Sequence, residues 1–487
     1  MQRLSNATLD QVPASVARPR YDRAAVRPGI VHLGVGAFQR AHQAVYVDDC
    51  LAGDPTWGIV GASLRRPDTR DALAPQDGLY TLAVKGGQGT DHRVVGSILD
   101  VLVLGEDRER LLGQMADPGT RIVTLTVTEK GYCHDPATGE LAEDHPDIRA
   151  DLAAPEAPSS APGLLVEALR RRRAGGIPPF TVLTCDNLPA NGPTVRRIVA
   201  RFAHLRDPGL GRFVAGEVAF PATMVDRIVP ATTEADRAEV DAALGLADAW
   251  PVVTEPFSQW VVEDRFPLGR PPLESVGAEM VGAVEPYERM KLRLLNGSHS
   301  PLAYLGYLAG FETIAETVAV PAFRRFAHGL MTDEAIPTLR LPEADLLAYR
   351  DRLLERFANP GLRHRTWQIA MDGSQKLPQR LLGTVRDRIE AGAPFPHLAL
   401  GVAAWMRYAM GKDEKDRPID VRDPLAERLR AVADGAGRDP ARLAAGYLSI
   451  NEIFGPDLPR HEGFKAAVAG HLGTLLERGA KAAVEAL

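Results

Sequence analysis

The chain has 487 residues, of which 45% are hydrophobic and 25% charged, and a net charge of −6. That composition supports a large folded core and excludes a mainly disordered chain. The slight acidic balance is not that of a nucleic-acid binder and offers no attraction to an anionic membrane; length alone, at roughly 150 residues per domain, suggests about three domains and admits two large ones.

Residues 1–27 are polar, are broken by Pro13 and Pro19, and lack the apolar core of a secretory signal. No later run reaches the roughly 18 apolar residues of a spanning helix, so a cytoplasmic protein with no membrane partner is expected. Gly29-Ile30-Val31-His32-Leu33 is the first apolar run and enters a Gly-rich turn, after which a helix is predicted over 39–51. Gly58-Ile59-Val60-Gly61-Ala62-Ser63-Leu64 is the second run. Segment 79–104, with Gly86-Gly87-Gln88-Gly89 inside it, reads as an inserted hairpin. Arg121-Ile122-Val123-Thr124-Leu125-Thr126-Val127 and Phe180-Thr181-Val182-Leu183-Thr184-Cys185 follow, with helices predicted over 163–173 and 193–205. Runs this continuously apolar suit strands buried on both faces of a parallel sheet. From Tyr287 onward the pattern turns helical, over 290–310, 321–331, 343–357, 377–391, 397–410, 425–434 and 464–487. The expected fold is α/β: a Rossmann-like doubly wound sheet with insertions that binds a dinucleotide (residues 1–280), and a mainly α-helical domain for substrate and catalysis (residues 281–487). The boundary is expected in the Pro- and Gly-rich stretch 267–286, with the active site in the cleft between domains.

Gly34-Val35-Gly36-Ala37-Phe38-Gln39 carries the first two glycines of a GxGxxG turn and Gln39 at the third position. Glycines there let the backbone approach a pyrophosphate seated at a helix N-terminus. A tight strand-to-helix turn without a ligand uses the same residues, but the strand–turn–helix context favours the nucleotide. An acid past the second strand holds the ribose hydroxyls of NAD, and Asp68 is the nearest. Arg65 and Arg66 stand before it and would suit the extra phosphate of NADP, the less favoured cofactor.

Lys291, Asn296 and His299 open the helical half. At about 100° per residue they fall at about 0°, 140° and 80°, on one broad helix face. Asn296-Gly297 is a poor choice for an ordinary helix interior. The flanking Leu292, Leu294, Leu295, Leu302 and Leu305 would bury whatever polar group turns inward. Burial lowers the pKa of a lysine, which is what a general base for alcohol oxidation near neutral pH requires. Other polar clusters close predicted strands, at Thr128-Glu129-Lys130-Gly131-Tyr132 and Thr184-Cys185-Asp186-Asn187 through Gly192. A third, Arg363-His364-Arg365 followed by Asp372-Gly373-Ser374-Gln375-Lys376, is either a solvated basic face or a grip on a substrate carboxylate. The spacing Tyr287-x3-Lys291 mimics the pair of short-chain dehydrogenases, but the chain is too long and the pair sits outside the Rossmann half. Cys50, Cys133 and Cys185 form no CxxC pair and no HExxH occurs, so no metal is expected.

Val31-His32-Leu33-Gly34-Val35-Gly36-Ala37-Phe38-Gln39-Arg40-Ala41-His42, Thr126-Val127-Thr128-Glu129-Lys130-Gly131-Tyr132, Cys185-Asp186-Asn187-Leu188-Pro189-x-Asn191-Gly192, Met224-Val225-Asp226-Arg227-Ile228-Val229-Pro230 and Lys291-x4-Asn296-Gly297-Ser298-His299 together resemble the mannitol dehydrogenase family of long-chain polyol dehydrogenases. The likeness runs from about residue 28 to the end of the chain. It implies an NAD-dependent, metal-independent oxidoreductase of secondary alcohols in open-chain polyols and sugar acids, acting as a monomer or small homo-oligomer. The resemblance makes Lys291 the general base. It makes Asn296, His299 and Asn187 the oxyanion hole, and ties Glu129 and Glu288 to proton passage. It places the cofactor on Gly34, Gly36, Ala37, Phe38 and Arg40, with Asp68, and makes Lys376 a substrate-binding residue. Where mannitol-specific members have an arginine eight residues before that lysine, this chain has Gln368. The stretch from His364 to Arg380 is more similar to the fructuronate reductase branch. Its substrates carry a carboxylate, for which His364 and Arg365 are candidates; mannitol and related polyols are the alternative.

Overall fold

β1 (Pro28–Leu33) is the centre of a five-stranded sheet, and every one of its residues after Pro28 is buried. It pairs in parallel with β2 (Gly58–Ser63) on one side. A hairpin of β3 (Tyr80–Gly86) and β4 (Gly89–Val95) precedes β5 (Ile98–Val103), which pairs in parallel with β2. β6 (Ile122–Leu125) lies on the other side of β1, and β7 (Thr181–Thr184) lies beside β6. The order β5-β2-β1-β6-β7 therefore reverses between β1 and β6, the position where open α/β sheets bind ligands. β8 (Thr223–Asp226), β10 (Gln259–Glu263) and β11 (Glu279–Val281) form a second sheet, and β9 (Val252–Thr254) joins β3 and β4 in a third. The computed structural model describes residues 1–87, 89–135 and 138–487, and it divides into two units, Met1–Glu285 and Pro286–Leu487.

The apolar runs work as expected for a sheet covered on both faces. Val31, Leu33, Val60, Ala62, Val123 and Leu125 enter one core, with residues of the helices Leu104–Ala116, Ala161–Ala174 and Asn191–Arg206. Ile30, Ile59, Val101 and Ile122 enter the core on the opposite face. Alternate side chains point to opposite faces, so both sets must be apolar and the runs read as continuous.

Two expectations in this unit are corrected. The helix over 39–51 is broken at His42, into α1 (Ala37–Ala41) and α2 (Gln43–Cys50), with His42 at φ −128° and ψ −90°. Its ring packs with Phe38, Tyr46 and Trp260, and its Nε2 donates to the Gln259 carbonyl at 2.9 Å; such long-range anchoring leaves no mark on local periodicity. Segment 79–104 is not wholly an inserted hairpin: its last part, β5, is an edge strand of the main sheet. Gln88, in the glycine-rich turn, lies outside the described residues.

The second unit is helical. Pro396–Ala409 is buried over nearly its whole circumference, from Leu398 to Ala409, and packs against the long helix Glu462–Glu485. A helix apolar all round belongs at the centre of a bundle. Helix predictions here need one recurrent correction, because three π-helical turns interrupt the α pattern, at Leu292–Asn296, Leu330–Ala335 and Pro378–Leu382. Among the described residues no helix is long and apolar enough to cross a membrane.

Candidate active site

In the first unit the polar residues gather where β1, β6 and β7 end. β1 leads into Gly34, whose φ is +96° and whose Cβ, if present, would lie 2.2 Å from the Thr126 carbonyl. Only glycine fits such a position. Gly36 differs: its φ is −110° and nothing comes closer to a built Cβ than the Gly34 carbonyl at 3.9 Å. Gly36 and Ala37 are exposed, and Phe38 stacks on His42. Beneath the turn, buried His32 places Nδ1 2.7 Å from Thr124 Oγ1 and Nε2 2.9 Å from Thr126 Oγ1, while Thr126 Oγ1 donates to the Gly34 carbonyl at 2.8 Å. Burial pushes the His32 pKa down to about 3, so the ring is neutral.

Asp68 is exposed at the start of α3 (Asp68–Leu73), and the adjacent Thr69 hydroxyl donates to the Val35 carbonyl at 3.4 Å, which ties α3 to the glycine turn. Arg40 turns inward. It is buried against the Tyr80 and Trp250 rings, donates to the Trp250 carbonyl, and receives the Tyr80 hydroxyl on its own carbonyl at 2.6 Å.

Asp186, one residue past β7, organises the neighbouring loop. Its carboxylate accepts the Val127 amide at 2.9 Å, the Thr128 amide at 3.1 Å and the Tyr132 hydroxyl at 2.8 Å. Thr128 stands at φ 64° and ψ 164°, and Ala190 at φ 44°. Positive φ is rare for side chains other than glycine and rarer for a β-branched one, and such strain gathers at functional sites. Glu129 is exposed in the turn that Thr128 begins, and Asn187 is exposed directly after Asp186. Asn191 is buried and binds the Asp186 and Thr223 carbonyls through Nδ2, at 3.2 and 2.8 Å, which joins this loop to β8. Cys133, His145 and Asp147 bring one possible ligand atom each within 4.8 Å of the others, but His145 Nδ1 already accepts the Asp147 amide at 3.2 Å.

In the second unit Lys291 ends the helix Glu285–Lys291, and the π turn Leu292–Asn296 separates it from the helix Gly297–Leu308. The angles computed for one continuous α-helix therefore do not hold, because a π turn advances fewer degrees per residue. Lys291, Asn296 and Glu288 are half-buried. Gly297 is where the backbone of another π turn comes close: a built Cβ would lie 2.9 Å from the Arg380 carbonyl.

His299 is 6% exposed, stacks on Phe357 at 5.2 Å between ring centroids, and meets the His364 ring edge-on at 4.6 Å. Its Nε2 has no hydrogen-bond partner among the described residues. Burial first, then the nearby His364, Arg380, Arg356 and Lys376, hold its pKa well below the usual histidine value. Burial also brings His364 down to about 4. Both rings are neutral at pH 7.

Lys376 donates to the Met371 and Ile369 carbonyls at 2.5 and 3.2 Å, which places its ammonium over the Asp-Gly-Ser turn. Arg365 is ion-paired with Glu312 at 2.7 Å. Sequence reasoning gave no role to Asp186, Phe357 or Arg380; only the strand-end position of Asp186 marked it locally.

The chain matches two family models, the Mannitol dehydrogenase Rossmann domain over residues 28–275 and the Mannitol dehydrogenase C-terminal domain over residues 283–476. It is 50% identical to D-mannonate oxidoreductase of Escherichia coli (strain K12), over 97% of this chain and 98% of the relative. It is 44% identical to mannitol 2-dehydrogenase of Aspergillus fumigatus, over 95% and 94% of the two chains. The solved ternary complex of Pseudomonas fluorescens mannitol 2-dehydrogenase with NAD and D-mannitol superposes with a TM-score of 0.89 at 40% identity, covering 100% of this chain and 99% of that one. The buried neutral histidine beyond the π turn, the glycine turn at the β1/β6 reversal and these likenesses agree: the chain belongs to the mannitol dehydrogenase family and is an oxidoreductase acting on CH–OH groups.

Proposed function

We propose that this protein uses NAD to interconvert the secondary alcohol and ketone of an open-chain sugar acid, D-mannonate and D-fructuronate, with residues 1–280 serving the cofactor and 281–487 the substrate. The observation that carries the reading is His299, a buried neutral imidazole with an unpartnered Nε2, three residues from Asn296 and set among basic side chains. A neutral ring can donate to a developing alkoxide without first losing a proton of its own, and a preorganised donor of this kind is a large part of catalysis.

The first unit fits a dinucleotide. Gly36 has open space where a side chain would stand, so its glycine serves something outside the protein's own packing. Gly34, Gly36, Ala37 and Phe38 line that turn, and Asp68 is tethered to it through Thr69. Arg40 would act there by fixing α1 from beneath. A bound nicotinamide supplies the hydride acceptor. In the oxidation direction Lys291, as the free amine, takes the hydroxyl proton. Asn296 and His299 donate to the alkoxide oxygen, with Asn187 as a further donor, and Glu129 and Glu288 pass the proton from Lys291 toward water. Lys376 and His364 hold the sugar chain. In reduction the lysine ammonium returns the proton.

Support for a sugar acid comes from the 50% identity to a D-mannonate oxidoreductase and from the basic groups around His299. The likeness to mannitol 2-dehydrogenases favours the second reading, a polyol dehydrogenase. NADH formation with D-mannonate, D-mannitol, D-arabinitol and D-sorbitol separates them. Turnover of mannitol with none of mannonate replaces the first reading by the second. Lys291→Ala should abolish turnover and retain NADH binding; an active variant removes the base from Lys291.

A further inference from the structure

Resting on the sugar-acid reading above, we propose that Arg380 is the residue that recognises the substrate carboxylate, and so sets the preference for a sugar acid over a neutral polyol. Its position is fixed from two sides. The Arg380 carbonyl lies against Gly297, where a Cβ would approach within 2.9 Å. Its guanidinium reaches along the same helix, and Nη1 donates to Ser300 Oγ at 3.0 Å. Ser300 is 2% exposed and follows His299 directly. Arg380 therefore spans the turn that carries Asn296 and His299.

A guanidinium has five N–H donors in a rigid fork that matches a carboxylate, so the bond to Ser300 anchors the group without exhausting it. Arg380 stands in a basic setting, with Arg356 and Lys376 also acting on His299. The contacts that Lys376 makes to the Met371 and Ile369 carbonyls orient its charge and do not neutralise it. Clustered positive charge beside buried apolar walls such as Phe357 favours an anionic group. Arg365, the candidate that the sequence suggested, spends its charge on Glu312.

The test compares D-mannonate with its uncharged amide, D-mannonamide, in the wild type, Arg380→Leu and Arg380→Lys. NADH binding checks that each variant is folded. The wild type is expected to favour the acid by about 10² in kcat/KM, the typical worth of a close charge pair. Arg380→Leu should collapse that ratio to within about threefold of one. Arg380→Lys, which keeps the charge and loses the fork, should fall between. An acid-to-amide ratio unchanged in Arg380→Leu, whatever the overall loss of rate, shows a merely structural arginine and overturns the proposal. A wild type that oxidises acid and amide equally well also overturns it and leaves the sugar-oxidising reading standing. A wild type that oxidises neither brings down both.

Discussion

Asp186 holds the backbone amide of Thr128, a β-branched residue at φ 64°, across the gap between β7 and β6. The same carboxylate accepts the Val127 amide and the Tyr132 hydroxyl, so three donors converge on one group. In Asp186→Asn one acceptor oxygen becomes an NH2 that faces a donor. Breaking such a buried set costs about 1–3 kcal/mol. Thr128→Gly removes the steric strain, of order 1–3 kcal/mol, that the clamp holds in place. Urea denaturation is expected to show Asp186→Asn destabilised and Thr128→Gly recovering part of the loss in the double variant. A strictly additive double variant would separate the strain from the clamp.

Burial sets opposite pH dependences in the two units. Desolvation raises the Asp186 carboxyl to about 6 against the pull of its donors. An unfolded Asp ionises near 3.9, so between about pH 4 and 6 the native state keeps a proton that the unfolded state lacks. The contribution of this group to stability is therefore largest in acid and is lost as pH rises through that window. His32 and His364, lowered to about 3 and 4, behave the other way. Each is neutral in the native state and protonates near 6.5 when unfolded, so its contribution is complete above 6.5 and falls as pH drops, by up to about 1.4 kcal/mol per pH unit. His299 adds in the same sense. Three histidines outweigh one carboxyl, and these buried groups together should make stability fall from pH 6.5 to 4.5. His364→Asn is expected to flatten the fall by about one histidine's share, which urea midpoints at several pH values measure.

The two glycines of the nucleotide turn should separate folding from binding. A Cβ at Gly34 meets the Thr126 carbonyl at 2.2 Å, so Gly34→Ala must move the backbone and should lower stability by several kcal/mol, on the order of a severe backbone clash. A Cβ at Gly36 meets nothing nearer than 3.9 Å. Gly36→Ala should stay within about 0.5 kcal/mol of the wild type and yet weaken NADH binding. Thermal melting and NADH fluorescence titration on the same samples decide it. Unchanged NADH affinity in Gly36→Ala removes the cofactor from this turn.

The parallel sheet and the glycine turn were legible because their signals are local: continuous apolar runs, and glycine where φ is +96°. What escaped was long-range. Asp186 acts on Val127, 59 residues away, and matters only because β6 and β7 are neighbours, with Leu125 opposite Thr184. Arg365 looked like a grip on substrate because a run of basic residues does not reveal Glu312, 53 residues distant, as its partner. The face shared by Lys291, Asn296 and His299 was computed with a period of about 3.6, which the π turn at Leu292–Asn296 breaks. The oddity of Asn296-Gly297 inside a helix was the visible trace of that turn.

Gly297 makes that trace testable, because two effects there have opposite signs. Replacing a helical glycine by alanine ordinarily stabilises by about 1 kcal/mol through helix propensity. Here the added methyl would stand 2.9 Å from the Arg380 carbonyl, a backbone atom that cannot swing aside as a flexible side chain does. Overpacking of this kind costs about 1–3 kcal/mol, so the contact should win and Gly297→Ala should lower the denaturation midpoint. The displacement would push apart the π turns Leu292–Asn296 and Pro378–Leu382, and with them Asn296 and the Arg380–Ser300 bond. Both kcat and the acid-to-amide preference are therefore expected to fall in this variant while NADH binding is kept. A stabilised Gly297→Ala with normal kcat would show that the two turns yield without cost and that the close approach has no part in setting the site.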